Sequence, residues 1–351
     1  MGVVSVRIAA ALLFGTMLMA QEPQQPVFRG RLETVAVPVT VFDPYESLVT
    51  SLTREDFAIF DNGQRQDITT FSSGMQPIRA VVLVDTSASM MPVIDLARTA
   101  AEQFVIRLRP DDRAKAGLFS AKIALNSEFT ADRDKLLAWL RQDLSFSNPT
   151  RLFDAIGQAV TDLRSESGRR VVIVFTDGCD TASETSWSTI SSRINAEDVM
   201  IYAVMFRPKI VLKPPPTRTM NFGSARGMPP SRSNEPPPMC TLHSFLELKT
   251  GTPLADFFKL DDPRFVRGQQ LVQQLASDTG GGRLQLTPSD EINSVFTTVM
   301  NELHYLYLLG FTPQRLDGKI HELTVKVKDP MLQIRARRHY LAPPPPAAAG
   351  R

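Results

Sequence analysis

Residues 79–91 read RAVVLVDTSASMM, and the fold turns on how that stretch is read. Residues 80–84 are all apolar, three of them valines, the composition of a strand buried on both faces; such strands belong to parallel sheets covered by helices. Asp85, Ser87 and Ser89 follow at once and put oxygen atoms on the turn that leaves the strand. Oxygens gathered at the end of a buried parallel strand suit a hard cation.

Working outward, residues 93–108 carry Ile94, Ala97, Ala101, Phe104, Val105 and Leu108 at helical spacing, and Pro110 ends the run. A strand is expected at 116–119 with a partner at 123–129, then a short helix at 134–140 and a longer one at 152–163, where Ile156, Ala159, Val160 and Leu163 share a face. Buried strands follow at 171–175 and 199–206, with a helix at 187–194 between them. After 262 the sequence predicts an amphipathic helix at 264–277 stopped by Gly280, Gly281 and Gly282, a short strand at 284–286 and a helix at 289–303. This strand and helix alternation predicts an α/β domain over 78–311, a Rossmann-like, mostly parallel central sheet with helices on both faces. Residues 207–240 interrupt it with KPPPTR, GMPPSRS and NEPPPMC, a proline-dense insertion that cannot build a core.

The flanks read as β structure. Residues 31–42 alternate β-branched and polar positions, Thr53 and Asp56 have capping-box spacing before Phe57, and Asn62-Gly63 sits between two alternating runs as a hairpin turn would. Residues 27–76 are therefore an N-terminal β segment. At the other end, 320–327 and 332–340 alternate as strands, the second with Arg335, Arg337 and Arg338 on an expected solvent face, and 342–351 read as a disordered, proline-rich tail. Strands at both ends suggest one accessory β unit of N- and C-terminal strands, with 312–341 as its C-terminal part.

A hydrophobic content of 43% is enough for a real core, and 39 basic against 37 acidic residues, net +2, provides no field for gathering nucleic acid. Residues 1–20, with Arg7 before an apolar run, read as a secretory signal peptide, and no later stretch is long and apolar enough for a membrane helix. An exported protein, periplasmic or extracellular, is expected. Two cysteines, Cys179 and Cys240, exclude a disulfide framework but allow one bridge. His243, His304, His321 and His339 show no ligand spacing and read as packing or surface residues.

Three pieces converge on one chemistry: the D-x-S-x-S array of Asp85, Ser87 and Ser89; Thr150 in SNPTRLFDAI before a helix; and Asp177 after the strand VVIVFT. In an open α/β sheet, sites form beyond the carboxyl ends of the strands, where both aspartates are expected. Two carboxylates and three hydroxyls with no nitrogen or sulfur are a donor set for Mg²⁺ or Mn²⁺.

VLVDTSASM, NPTRLFDAI and VIVFTDG resemble the metal-ion-dependent adhesion site of von Willebrand factor type A domains. The flanking LTREDFAIFDNGQRQDITTF, LASDTGGGRL, YLLGFTP and RARRHYLAP resemble the exported bacterial VWFA-related family. Covering most of residues 31–342, the resemblance implies a Rossmann-like fold, metal ligands at Asp85, Ser87, Ser89, Thr150 and Asp177, binding of a partner protein through its acidic residue, and no catalysis. Ala88 stands where a glycine is common. A metal-free structural or envelope-assembly role is the alternative. A phosphatase is disfavoured because Ser87 occupies the position where haloacid-dehalogenase-like enzymes carry a second aspartate. Cys179 lies two residues past Asp177 and Cys240 closes the insertion, so a disulfide between them would pin that loop near the metal. Asp154 reads either as support for the site or as an acid favoured by its helix N-terminus.

Overall fold

Alternation of period two and runs of unbroken apolar residues divide the chain into two kinds of sheet. The computed structural model describes residues 34–142, 149–206, 263–287 and 290–345. Residues 1–33, including the expected signal peptide, and the insertion at 207–240 lie outside them. All described residues belong to one unit.

The unbroken runs form a six-stranded central sheet: β5 (Ile78–Asp85), β6 (Arg113–Phe119), β7 (Ile123–Leu125), β8 (Arg169–Thr176), β9 (Val199–Phe206) and β10 (Arg283–Leu286), in the order β10-β9-β8-β5-β6-β7. Only β7 is antiparallel to its neighbour. Residues 80, 82 and 84 of β5 face a core with helices α1 (Ile94–Ile106), α2 (Arg133–Leu140) and α6 (Ile292–His304). Residues 81 and 83 face a second core with α3 (Leu152–Asp162), α4 (Trp187–Ala196) and α5 (Pro263–Asp278). Two apolar faces on one strand are why β5 shows no alternation.

The alternating segments form two antiparallel sheets packed face to face. One has the order β13-β1-β11-β4, built from β1 (Val35–Phe42), β4 (Thr70–Met75), β11 (Tyr305–Phe311) and β13 (Gln333–Ala336). The other has the order β14-β12-β2-β3, built from β2 (Phe57–Asp61), β3 (Gln64–Gln66), β12 (Ile320–Val327) and β14 (His339–Leu341). Val37, Val39, Ile59, Leu309, Phe311 and Tyr340 are buried between them. N- and C-terminal strands interleave, as β1 pairs with β11 and β13, and β2 with β12. The turn at Asn62 (φ 46°) and Gly63 (φ 78°) has the two positive angles that a tight hairpin needs.

Three expectations are corrected. The segment 332–340 is two strands in different sheets, because the chain crosses between the sheets at residues 337–338. That crossing removes the expected solvent face: Arg337 is buried, donating to the carbonyls of His339 and Asn195, and Arg335 bonds Glu302 at 2.7 Å and lies over the Phe42 ring, while Arg338 alone is exposed. Residues 305–311, placed by the sequence within 78–311, pair instead with β1 and β4. The tail starts later than 342: Ala342 is buried and donates to the Lys319 carbonyl, and Pro343 accepts from Gly318.

Candidate metal centre

Strand order decides where the site lies. From β5 the chain runs to β6 on one side and later returns to β8 on the other, so the connections leave β5 and β8 in opposite directions and open a crevice at their carboxyl ends. Asp85 ends β5, and Asp177 is the first residue after β8. Both are fully buried.

Asp85 is held at both oxygens. Its Oδ1 accepts the Ser87 N–H at 2.9 Å and its Oδ2 accepts the Thr176 hydroxyl at 2.7 Å, so the last residue of β8 clamps the last residue of β5. The hydroxyls of Ser87 and Ser89 are 3.0 Å apart. Thr86 fixes the turn from the other side, donating N–H and hydroxyl to the carbonyl of Phe119 at the end of β6. Asp177 accepts the Cys179 N–H at Oδ1, 3.0 Å, whereas its Oδ2 is buried with no hydrogen-bond partner.

The charges are unfavourable as they stand. Burial first, and then the charge of Asp177, push the Asp85 carboxyl up to about 7 against the hydrogen bonds of Thr176 and Ser87. Burial likewise raises Asp177, with the facing Ser89 hydroxyl partly offsetting it. Two buried carboxylates beside each other are costly unless a cation or a proton is shared between them. The orphaned Asp177 oxygen, the all-oxygen donor set and this mutual repulsion fit a hard divalent ion.

Thr150 is brought to the same rim by backbone bonds. Its N–H donates to the Thr181 hydroxyl at 2.7 Å, and its carbonyl accepts from the N–H groups of Thr181 and Ala182. The next residue, Arg151, donates its N–H to the carbonyl of Ser120 after β6. The five residues singled out by the sequence thus lie on three loops at one end of the sheet, joined by Thr176 and Thr181. Among the described residues no group of three His, Cys, Asp or Glu side chains could hold a metal; the set here has two carboxylates, its other donors being hydroxyls.

Asp154 does more than answer the helix N-terminus. Burial works against its charge, but the Thr185 hydroxyl, the N–H groups of Glu184 and Thr185, and Arg151 at 2.8 Å hold it below the usual carboxylate range. It therefore ties residues 184 and 185 to α3.

Sequence reasoning missed three contributors. Asp180 accepts the N–H groups of Leu152 and Phe153 at 2.8 and 3.2 Å and so caps α3 from a loop 28 residues away in the chain. Gly268 lets α5 approach the loop after β8: a Cβ there would lie 2.5 Å from the Gly178 carbonyl. Gln269, one residue on, reaches the Asp177 carbonyl at 3.4 Å. The first had a faint signal, an acid after TDG; the other two had none, because α5 meets this loop only in three dimensions.

Residues 80–179 match the family model described as von Willebrand factor type A domain. No curated protein sequence matches the chain. Among solved structures, a von Willebrand factor type A protein from Catenulispora acidiphila has a TM-score of 0.43 at 9% identity, covering 82% of this chain and 74% of its own. An aerotolerance-related membrane protein from Bacteroides fragilis has a TM-score of 0.40 at 15% identity, covering 64% and 98%. Proximal thread matrix protein 1 from the mussel byssus, with zinc in its MIDAS motif, has a TM-score of 0.33 at 16% identity, covering 39% and 38%. The family match runs from β5 to the loop after β8, and the α/β layers that contain it have the mostly parallel sheet and flanking helices of the von Willebrand factor type A fold. Among the described residues no helix is long and apolar enough to cross a membrane, which does not bear on crossing by strands.

Proposed function

We propose that this chain, whose residues 80–179 carry a type A domain, is an exported, non-catalytic protein-binding module that uses a divalent ion, Mg²⁺ or Mn²⁺. Asp85, Ser87, Ser89, Thr150 and Asp177 would hold the ion. Bound there, it supplies a Lewis-acidic position for a carboxylate of a partner protein. The observation that carries this reading is the buried Asp85 and Asp177 pair at the switch point of the sheet, with the Asp177 Oδ2 unpartnered. With only two carboxylates in the set, an ion of charge +2 leaves the site no net negative charge to repel an incoming acid.

Cys179 lies two residues past Asp177, and its N–H donates to the Asp177 carboxylate. A bridge to Cys240, the other cysteine of the chain, would anchor the insertion beside the metal and let it select partners. Peptide mapping of exported protein under non-reducing conditions tests this, and two alkylatable thiols would remove it.

A metal-free assembly role is the second reading, favoured by one observation: both oxygens of Asp85 already accept hydrogen bonds. A pull-down from the exported fraction separates the two. Partners retained in Mg²⁺ and lost in chelator, and lost in Asp85→Ala, support metal-dependent binding; the same partners retained in chelator favour the assembly role.

A further inference from the structure

Thr176 closes the run VVIVFT and is fully buried, at a position where valine or isoleucine would serve the strand equally well. Burying a hydroxyl costs free energy unless it is hydrogen-bonded, and this one is bonded twice. Its Oγ1 accepts the Gly178 N–H at 3.0 Å and donates to Asp85 Oδ2 at 2.7 Å. The direction is fixed: the Gly178 N–H can only donate, so the single hydroxyl hydrogen is committed to Asp85.

The two bonds act on both acids of the site. The first closes a turn around Asp177, from Thr176 to Gly178, whose φ of 88° favours glycine. The second crosses from β8 to its neighbour β5, and together with the Ser87 N–H at 2.9 Å on Oδ1 it holds Asp85 at each oxygen. The plane of the Asp85 carboxylate is thereby set before any ion arrives. Hydrogen-bonding partners behind a ligating group contribute about 10–100-fold to metal affinity.

We propose that Thr176, outside the ligand set, is a positioning residue that gives the site its ion selectivity, favouring Mg²⁺ over Ca²⁺. The inference rests on the metal-binding function proposed above. Mg²⁺ demands near-ideal octahedral geometry, whereas Ca²⁺ accepts more oxygens in looser arrangements, so choice between them depends on how far the donors can move. A carboxylate held at both oxygens, beside a second one held in a closed turn, suits the stricter ion. Without the Thr176 hydroxyl, Asp85 is free to rotate and the turn around Asp177 loses its closing bond. The site then adapts to the larger ion and loses its advantage for the smaller.

Isothermal titration of Mg²⁺ and, separately, of Ca²⁺ into the full chain tests this in wild type, Thr176→Val, Thr176→Ala and Thr176→Ser. Wild type should bind Mg²⁺ more tightly than Ca²⁺. Valine and alanine both lack the hydroxyl, and circular dichroism identifies which of the two variants folds. In that variant Mg²⁺ binding should weaken by about 10–100-fold and Ca²⁺ binding by less, so that the ratio of the two affinities falls. Thr176→Ser keeps the hydroxyl and should keep the wild-type ratio, a rescue that packing alone would not give. In chelator, amide hydrogen exchange at Gly178 should be faster in the hydroxyl-free variant than in Thr176→Ser. A wild type that binds Ca²⁺ as tightly as Mg²⁺, an unchanged ratio in the folded hydroxyl-free variant, or a serine variant that behaves like it overturns the proposal and leaves the metal-binding function standing. A wild type that binds neither ion overturns both.

Discussion

Asp177 is a single side chain whose surroundings disfavour its charge. One of its oxygens is buried without a hydrogen bond, and its neighbour Asp85 is raised to about 7 by burial and by the Asp177 charge. Removing one of two buried like charges relieves the metal-free protein, whereas a bound ion stabilises only the wild type. In chelator, Asp177→Asn should therefore melt higher than wild type by about 1 kcal/mol equivalent or more. In Mg²⁺ at 100 times the dissociation constant, wild type should gain about 2.7 kcal/mol and Asp177→Asn nothing. Differential scanning calorimetry with and without Mg²⁺ checks both signs. At this scale the sequence was informative about position: that Asp85, Ser87, Ser89, Thr150 and Asp177 lie at one end of the sheet was legible because oxygen-bearing residues stand where buried strands or helices begin and end. That Thr176 clamps Asp85 was not legible, since a threonine closing a strand of valines reads as strand.

Loops position this site, and the loop after β8 is held by side chains that bridge distant parts of the chain. Asp180 supplies the cap that α3 lacks locally, as its own N-cap residue, Arg151, makes no side-chain capping bond. Asp180→Ala should cost about 1 kcal/mol in urea unfolding, the value of a lost cap. The same change should speed amide hydrogen exchange at Leu152 and Phe153 and weaken Mg²⁺ binding, because it loosens the loop on which Thr150 is fixed. Unchanged exchange at those two amides would show that the cap is not what orders the loop. Element boundaries were read well where burial is uniform, as in β5, β8 and β9. They were misread at 332–340, where an unbroken alternation conceals a crossing between two sheets. Period two reports which face a residue takes and says nothing of which sheet it takes it in.

For the whole molecule, the junction of the two architectures is what the sequence concealed most. Strand β11 leaves α6 and enters the sandwich directly, and Asp112 sits where these parts meet: it accepts the N–H groups of Ile78 at the start of β5 and of Arg109, and faces His304 Nε2 at 2.9 Å at the end of α6. Burial opposes its charge, but the His304 bond and the two backbone bonds outweigh it and hold the carboxyl below its usual value. A depressed carboxyl contributes stability that is complete above its unfolded value, near 4, and is lost as pH falls through the lower folded value. Asp112→Asn should thus cost about 2 kcal/mol at pH 7 and progressively less as the medium is acidified below about 4, which denaturant midpoints from pH 7 to 2 would measure. The α/β alternation and the presence of terminal β strands were visible in hydrophobic period, but their interleaving joins residues some 270 apart, such as Val39 and Tyr307 in one sheet and Ile59 and Val325 in the other, beyond the reach of any local pattern. In the function proposed above, what this architecture would hold up to a partner is the oxygen-lined crevice at the ends of β5 and β8. Isothermal titration of Mg²⁺ into wild type and Asp85→Ala tests that claim most directly: saturable, one-site heat in wild type and none in the folded variant is the predicted result, and no saturable heat in wild type at millimolar Mg²⁺, or equal heat in both, would contradict it.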